Sequence, residues 1–325
     1  MKLFVCIVFS LLAFAAFSQD FVCEWSPAIS KTATETPYKI FTNRDSGYSV
    51  VKRISDVKNS ISIDILDSNN VLLYTNNVEV PEDEIMHIDM VNGRVTLFST
   101  IHNNEKKEDQ LRAYTLNSKG ELSRTTLIAS LKSNGGYLAT FKVAVSSDGQ
   151  KVGVLCEKPF MKEKTEGLVI KILDKDLQPI LTKDYGYTIA SMKRRFNVPL
   201  INNKGSLYIL KRARSKTKNR YFLTLVKESG FEEHHDLQLR SMRIVDVTGA
   251  FNKDGELIVA GFYAGFNGLD FQGAFILKYN ESSISMYRKE LMLPVNLITG
   301  LKSKKEISKF GNGLNKFHVK KLIVT

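Results

Sequence analysis

The chain has 325 residues, 43% of them hydrophobic, with 46 Lys+Arg against 34 Asp+Glu and a formal net charge of +12. That apolar fraction excludes a disordered polyelectrolyte and is ample for a large core or one repeat domain. Three cysteines exclude a disulfide framework, and the positive excess points to acidic partners or surfaces.

Residues 1–18 read as a signal peptide. Met1-Lys2 gives a short positive start and residues 3–17 are almost unbroken apolar; the small Ala16 and Ser18 suit a cut before Gln19. The chain is therefore expected to be exported, to the periplasm or the cell exterior. No later stretch reaches ~20 apolar residues, so no transmembrane helix is expected. Cys6 lies inside the apolar run, and Cys23 lacks the small residues that lipid attachment needs. Cys156 follows apolar Val152, Val154 and Leu155 and reads as a buried free thiol.

Residues 19–37 form an irregular lead-in with the only tryptophan, Trp25. From there the chain repeats one phrase: apolar strand, Asn/Asp/Lys-Gly turn, apolar strand. Val143-Ala144-Val145-Ser146-Ser147-Asp148-Gly149 leads into Val152-Gly153-Val154-Leu155. Leu200-Ile201-Asn202-Asn203-Lys204-Gly205 leads into Leu207-Tyr208-Ile209-Leu210, and Phe251-Asn252-Lys253-Asp254-Gly255 into Leu257-Ile258-Val259-Ala260. A second hairpin repeats as clearly, with turns at Asp67-Ser68-Asn69-Asn70, Asn117-Ser118-Lys119-Gly120, Asp174-Lys175-Asp176 and Lys227-Glu228-Ser229-Gly230. A period of about 50 residues with four strands per unit predicts an all-β, β-propeller-like array. Five four-stranded units are placed at 38–81, 85–130, 139–190, 195–245 and 246–294, in one repeat domain over 38–325. Residues 316–325, with Phe317, Val319, Leu322 and Val324, read as the first strand of a sixth unit, so the array is expected to be truncated or open. The signal peptide followed by D-G and N-K-G hairpins at this spacing resembles the secreted β-propeller proteins common in Bacteroidota, most of them uncharacterised. The resemblance is one of pattern; it carries no active-site residues onto this chain.

The strongest candidate for function is basic. Lys211, Arg212, Arg214, Lys216, Lys218 and Arg220 follow one another without an acid, between the second and third strands of the fourth unit. Lys193, Arg194 and Arg195 precede that unit's first strand. In a propeller both loops emerge on one face, which suits an anionic glycan, a cell-envelope component or an acidic protein partner. Nucleic acid is disfavoured by the export signal and by the lack of aromatics interleaved with the basic run. On the same face a glycine-rich loop in the fifth unit offers Tyr263, Phe266 and Asp270 to a sugar or partner.

Catalytic and metal signals are weak. Adjacent His234 and His235 should point to opposite faces of a strand, and Asp64, Asp67, Asp174 and Asp176 read as turn formers, so no metal or cofactor is expected. Asp89, Glu157, Asp246 and Asp270 would be the nearest carboxylates for a glycoside hydrolase or lyase, but their places differ from unit to unit. The expected function is thus an exported, non-catalytic binding or interaction module. The alternatives are a propeller enzyme acting on glycans, and a structural protein that self-associates through an unclosed blade.

Overall fold

The computed structural model describes residues 35–292, apart from 44–46, 55–58, 81–83, 134–136, 160–165, 188–195, 215–218, 238, 240–241, 266–270 and 282–284. Twenty strands form five four-stranded antiparallel sheets, each with its strands in chain order. The first holds β1 (Glu35–Asn43), β2 (Gly47–Ile54), β3 (Ser60–Leu66) and β4 (Leu72–Glu79). The second holds β5 (Glu84–Val91), β6 (Arg94–Asn103), β7 (Glu108–Leu116) and β8 (Leu122–Lys132). The third holds β9 (Thr140–Val145), β10 (Lys151–Glu157), β11 (Glu166–Asp174) and β12 (Pro179–Tyr187). The fourth holds β13 (Phe196–Ile201), β14 (Leu207–Arg214), β15 (Asn219–Val226) and β16 (Glu232–Asp236). The fifth holds β17 (Met242–Phe251), β18 (Leu257–Gly265), β19 (Phe271–Asn280) and β20 (Ser285–Met292).

The repeated phrase is a hairpin turn closed by its own side chain. Asn202 Oδ1 accepts the N–H of Lys204 at 3.0 Å and of Ser206 at 2.9 Å; Asp67, Asn117, Asp174 and Asn252 do the same for the residues two and four ahead. The residue three ahead of the Asn or Asp takes a left-handed φ, for example +81° at Gly205 and +83° at Gly120. Glycine is favoured there because a Cβ would crowd the backbone.

Middle strands are buried on both faces, so they read as continuous Val/Ile/Leu runs. In the second, third and fourth sheets one face packs on the sheet before and the other on the sheet after. Val51, Ile61, Ile63 and Ile65 meet Ile88, Val95 and Leu97 between the first and second sheets. Phe98, Leu111 and Ala113 meet Val152, Val154 and Cys156 between the second and third. Leu155, Ile170 and Ile172 meet Ile201, Leu207 and Ile209 next, and Tyr208, Tyr221 and Leu223 meet Val259, Tyr263 and Phe275 last. The leading strands of successive sheets approach one another, β5 to β9 and β9 to β13. This is a propeller-like array of radially stacked blades, and it is open: among the described residues no core cluster joins the fifth sheet to the first.

Candidate functional site

Between the third and fourth sheets the apolar layer gives way to charge at one end, by single steps of the strand alternation. On β10 the inward series Leu155 continues to Glu157, and on β14 Leu207 and Ile209 continue to Lys211. On the leading strands, Lys142 shares a face with Ala144 and Asn197 with Ile201. All four polar side chains converge. Lys142 Nζ donates to Glu157 Oε1 at 2.9 Å and to the Asn197 carbonyl at 2.7 Å. Asn197 Nδ2 donates to the same Glu157 oxygen at 2.8 Å, and Lys211 Nζ donates to Asn197 Oδ1 at 3.2 Å. Glu157, Asn197 and Lys211 are buried. Burying charge is costly unless each group is paired and hydrogen-bonded, and this chain of donors and acceptors meets that condition. The cluster lies at the end where the β10–β11 and β14–β15 loops leave.

The neighbouring junction continues the basic side. The Tyr221 hydroxyl donates to the Val245 carbonyl at 3.0 Å. Burial pushes that phenol up in pKa, with the adjacent Arg212 opposing. Asp246 is buried on β17. Arg220 is exposed, pairs with Asp236 and stacks 5.2 Å over the Phe222 ring.

These placements revise the sequence reading. Residues 211–214 continue strand β14 rather than forming a loop, because β14 and β15 pair as far as Arg214↔Asn219. Lys211 is therefore a 3% exposed interior cation, not a surface one. Tyr263 is likewise not a surface contact: β18 extends to Gly265 and packs the ring, 2% exposed, into the core between the fourth and fifth sheets. Arg212 and Arg220 remain accessible. Arg214 ends the strand, while Lys193, Arg194, Arg195, Lys216, Lys218, Phe266 and Asp270 lie outside the described residues. Lys142 and Asn197 had no sequence signal beyond a polar residue breaking an apolar alternation.

Several other titratable groups are engaged structurally. Asp89 accepts Lys39 Nζ at 2.9 Å, and His87 Nε2 lies at 3.3 Å. Burial pushes its carboxyl up, but His87 and Lys39 outweigh that and hold it below its ordinary value. His102 Nδ1 lies 2.6 Å from Asp109, whose other oxygen accepts the Ala139 N–H at 2.7 Å. His234 meets Tyr185 of the third sheet at 3.0 Å and His235 meets Tyr279 of the fifth at 3.3 Å, so the two rings do face opposite ways. Among the described residues no cluster of three or more His, Cys, Asp or Glu is placed to hold a metal ion. No helix among them is long and apolar enough to cross a membrane.

At the opposite, turn-bearing end, a cleft of about 760 Å³ opens between the first and second sheets. Its wall is Ile63, Ile65 and Val95, its rim Asp67, Arg94 and Lys119, and one lip is Leu73 and Tyr74.

No protein-family model matches the chain, and no curated protein matches it. Solved structures do resemble its fold. An oligogalacturonate lyase in complex with manganese aligns at 10% identity and TM-score 0.48, over 78% of this chain and 64% of the lyase. The β-propeller domain of the Trilobed protease from Pyrococcus furiosus aligns at 12% and 0.41, over 82% and 85%. An endo-arabinase from Bacteroides thetaiotaomicron aligns at 13% and 0.34, over 80% and 94%. These likenesses concern strand arrangement alone.

Proposed function

We propose that this chain is an exported, non-catalytic binding module that takes an anionic glycan or cell-envelope component on its b–c loop face, where the second and third strands of each blade connect. The apolar run behind Met1-Lys2 supports export, to the periplasm or the exterior. The observation that carries the binding reading is the Lys142–Glu157–Asn197–Lys211 cluster with Arg212 beside it. Lys211 is buried and Lys142 and Arg212 are half-buried, so solvent screens their field only in part and it reaches the loop end above them. In the sequence Lys216 and Lys218 fall between Arg214, the last residue of β14, and Arg220 of β15, whose shared end is that one. A glycan-cleaving enzyme fits less well. Its acid would need a carboxyl kept protonated near neutrality, whereas the Asp89 carboxyl is held below its ordinary value.

Retention on heparin tests the proposal. It should weaken as salt rises and weaken further when Arg212, Arg214, Lys216 and Lys218 are all changed to Ser, with the melting temperature monitored to confirm folding. Retention indifferent to both changes would remove the basic end from the account.

A further inference from the structure

We infer that the lip of the cleft between the first and second sheets is a contact surface for a second copy of this chain. Val71, Leu72, Leu73 and Tyr74 stand in a row at the start of β4, exposed at 55%, 55%, 52% and 45%. Outer strands invite unwanted association, and chains suppress it there with charge, proline or polar side chains. Three of the other outer strands carry such residues at the same place. The second sheet has Glu121-Leu122-Ser123-Arg124, the third Gln178-Pro179-Ile180-Leu181, and the fourth Phe231-Glu232-Glu233-His234. The first sheet has none, and no charged residue occurs from Asn69 to Val78.

Local geometry sets the mode of contact. Ile65 pairs with Tyr74 and Leu66 with Leu72, so Leu73 is the extra residue of a bulge. A bulge interrupts the ladder, which leaves side chains rather than strand addition to make the contact.

The occupant follows from charge and shape. A chain of net charge +12 repels its own copies, and the neutral stretch 69–78 is a place where two can meet without opposed cations. An acidic partner would find cations only at the rim, Arg94 and Lys119, and none along the lip itself. The apolar lip also stands beside its own apolar cleft, with Asp67 on one side and Arg94 and Lys119 on the other. A two-fold contact sets the lip of each copy against the cleft of the other. It also brings Asp67 of one copy towards Arg94 and Lys119 of the other, every contact being made twice. This face lies at the opposite end of the blades from the basic loops, so it stands independently of the anion-binding proposal.

Sedimentation velocity of the full-length chain over about 1–100 µM should show a concentration-dependent monomer–dimer equilibrium. Leu73→Lys with Tyr74→Lys should weaken it by about 100-fold or more, because the added charges would enter the apolar cleft of the other copy beside its Arg94 and Lys119. Both positions are exposed, so the circular-dichroism melt should not move. Arg94→Glu should weaken association by a smaller factor. Leu73→Cys should give, on mild oxidation, a disulfide-linked dimer absent from the parent chain. A monomer throughout the range overturns the inference, as does a dimer that neither the lysine pair nor Arg94→Glu affects. Capture of a different protein through this lip, without self-association, overturns it too.

Discussion

The first and the last blade junctions solve the same packing problem with different residues. Between the first and second sheets the filling is aliphatic: Val51, Ile61, Ile63 and Ile65 against Ile88, Val95 and Leu97. Between the fourth and fifth it is aromatic, with Tyr208, Tyr221, Tyr263, Phe275 and Tyr279 all buried. The aromatic junction is also hooked by hydrogen bonds. Glu281, at the end of β19, accepts from the Tyr208 hydroxyl at 2.9 Å and the Ser206 hydroxyl at 3.1 Å, and Lys227 lies 3.0 Å away. Tyr279 donates to Glu233 at 3.1 Å. The aliphatic junction opens at its turn end into the cleft. Radially stacked sheets diverge, and long rings with a polar tip fill a widening gap that branched aliphatic side chains leave open.

Truncating one side chain in each junction should break this symmetry most visibly. Phe275→Ala empties an enclosed site between sheets and should cost about 3–5 kcal/mol of unfolding free energy. Ile63→Ala removes a side chain that is fully buried yet backs the cleft, so its neighbours can settle, and about 2 kcal/mol is expected. Urea melts of both variants make the comparison. Equal costs, or a larger one for Ile63, would mean the first junction is as tightly closed as the last.

Much of this architecture was legible in the sequence because the turns are locally determined. Asn202, Asn252, Asn117, Asp67 and Asp174 fold the backbone by bonds to residues two and four ahead, and a glycine three ahead of the first three, or Asn70 after Asp67, marks the hairpin without tertiary information. Leu177 shows the limit. It takes the glycine's place in the third sheet with φ of +63°, held by burial in the core rather than by propensity. The site was less legible for a related reason. Lys211 and Arg212 look like a polar loop in a run of cations, and only the pairing with β13 and β15 makes that stretch strand. Tyr263 was misread because a glycine on each side suggests a loop, whereas Gly261 lets β18 pass close to Asp246 and Phe275. A Cβ at 261 would lie 2.1 Å from the Asp246 carbonyl oxygen.

Acid bears on both junctions, through Asp89 paired with Lys39 in the first and Glu281 in the last. Burial pushes the Glu281 carboxyl up, but Lys227, Tyr208 and Ser206 outweigh it and hold the group below its ordinary value of 4.5. A carboxyl whose folded pKa is depressed contributes stability that is complete above the unfolded value and is lost as pH falls through the folded one. The last junction should therefore weaken below about pH 4.5, and Glu281→Gln should flatten that part of the melting-temperature profile. Tyr208→Phe, which strips one donor from the carboxylate, should cost about 1–3 kcal/mol at neutral pH and shift the acid limb upward. An unchanged acid limb in Glu281→Gln would assign the sensitivity elsewhere, with Asp89 the next group to try.

The smallest effect bears on the cleft itself. Gly255 and Gly120 occupy the same turn position with φ of +77° and +83°. A Cβ on Gly255 meets nothing within 4 Å, so Gly255→Ala should cost only the left-handed backbone strain of about 1 kcal/mol. A Cβ on Gly120 would come 2.8 Å from Cγ2 of Ile63 across the first junction. Ile63 must then move, and the open cleft beside it gives it somewhere to go. Gly120→Ala should therefore exceed Gly255→Ala by no more than about 1 kcal/mol in chemical denaturation. An excess of about 3 kcal/mol or more would mean that Ile63 has no space to yield. In that case the first junction has no cleft, and the socket for a second copy goes with it.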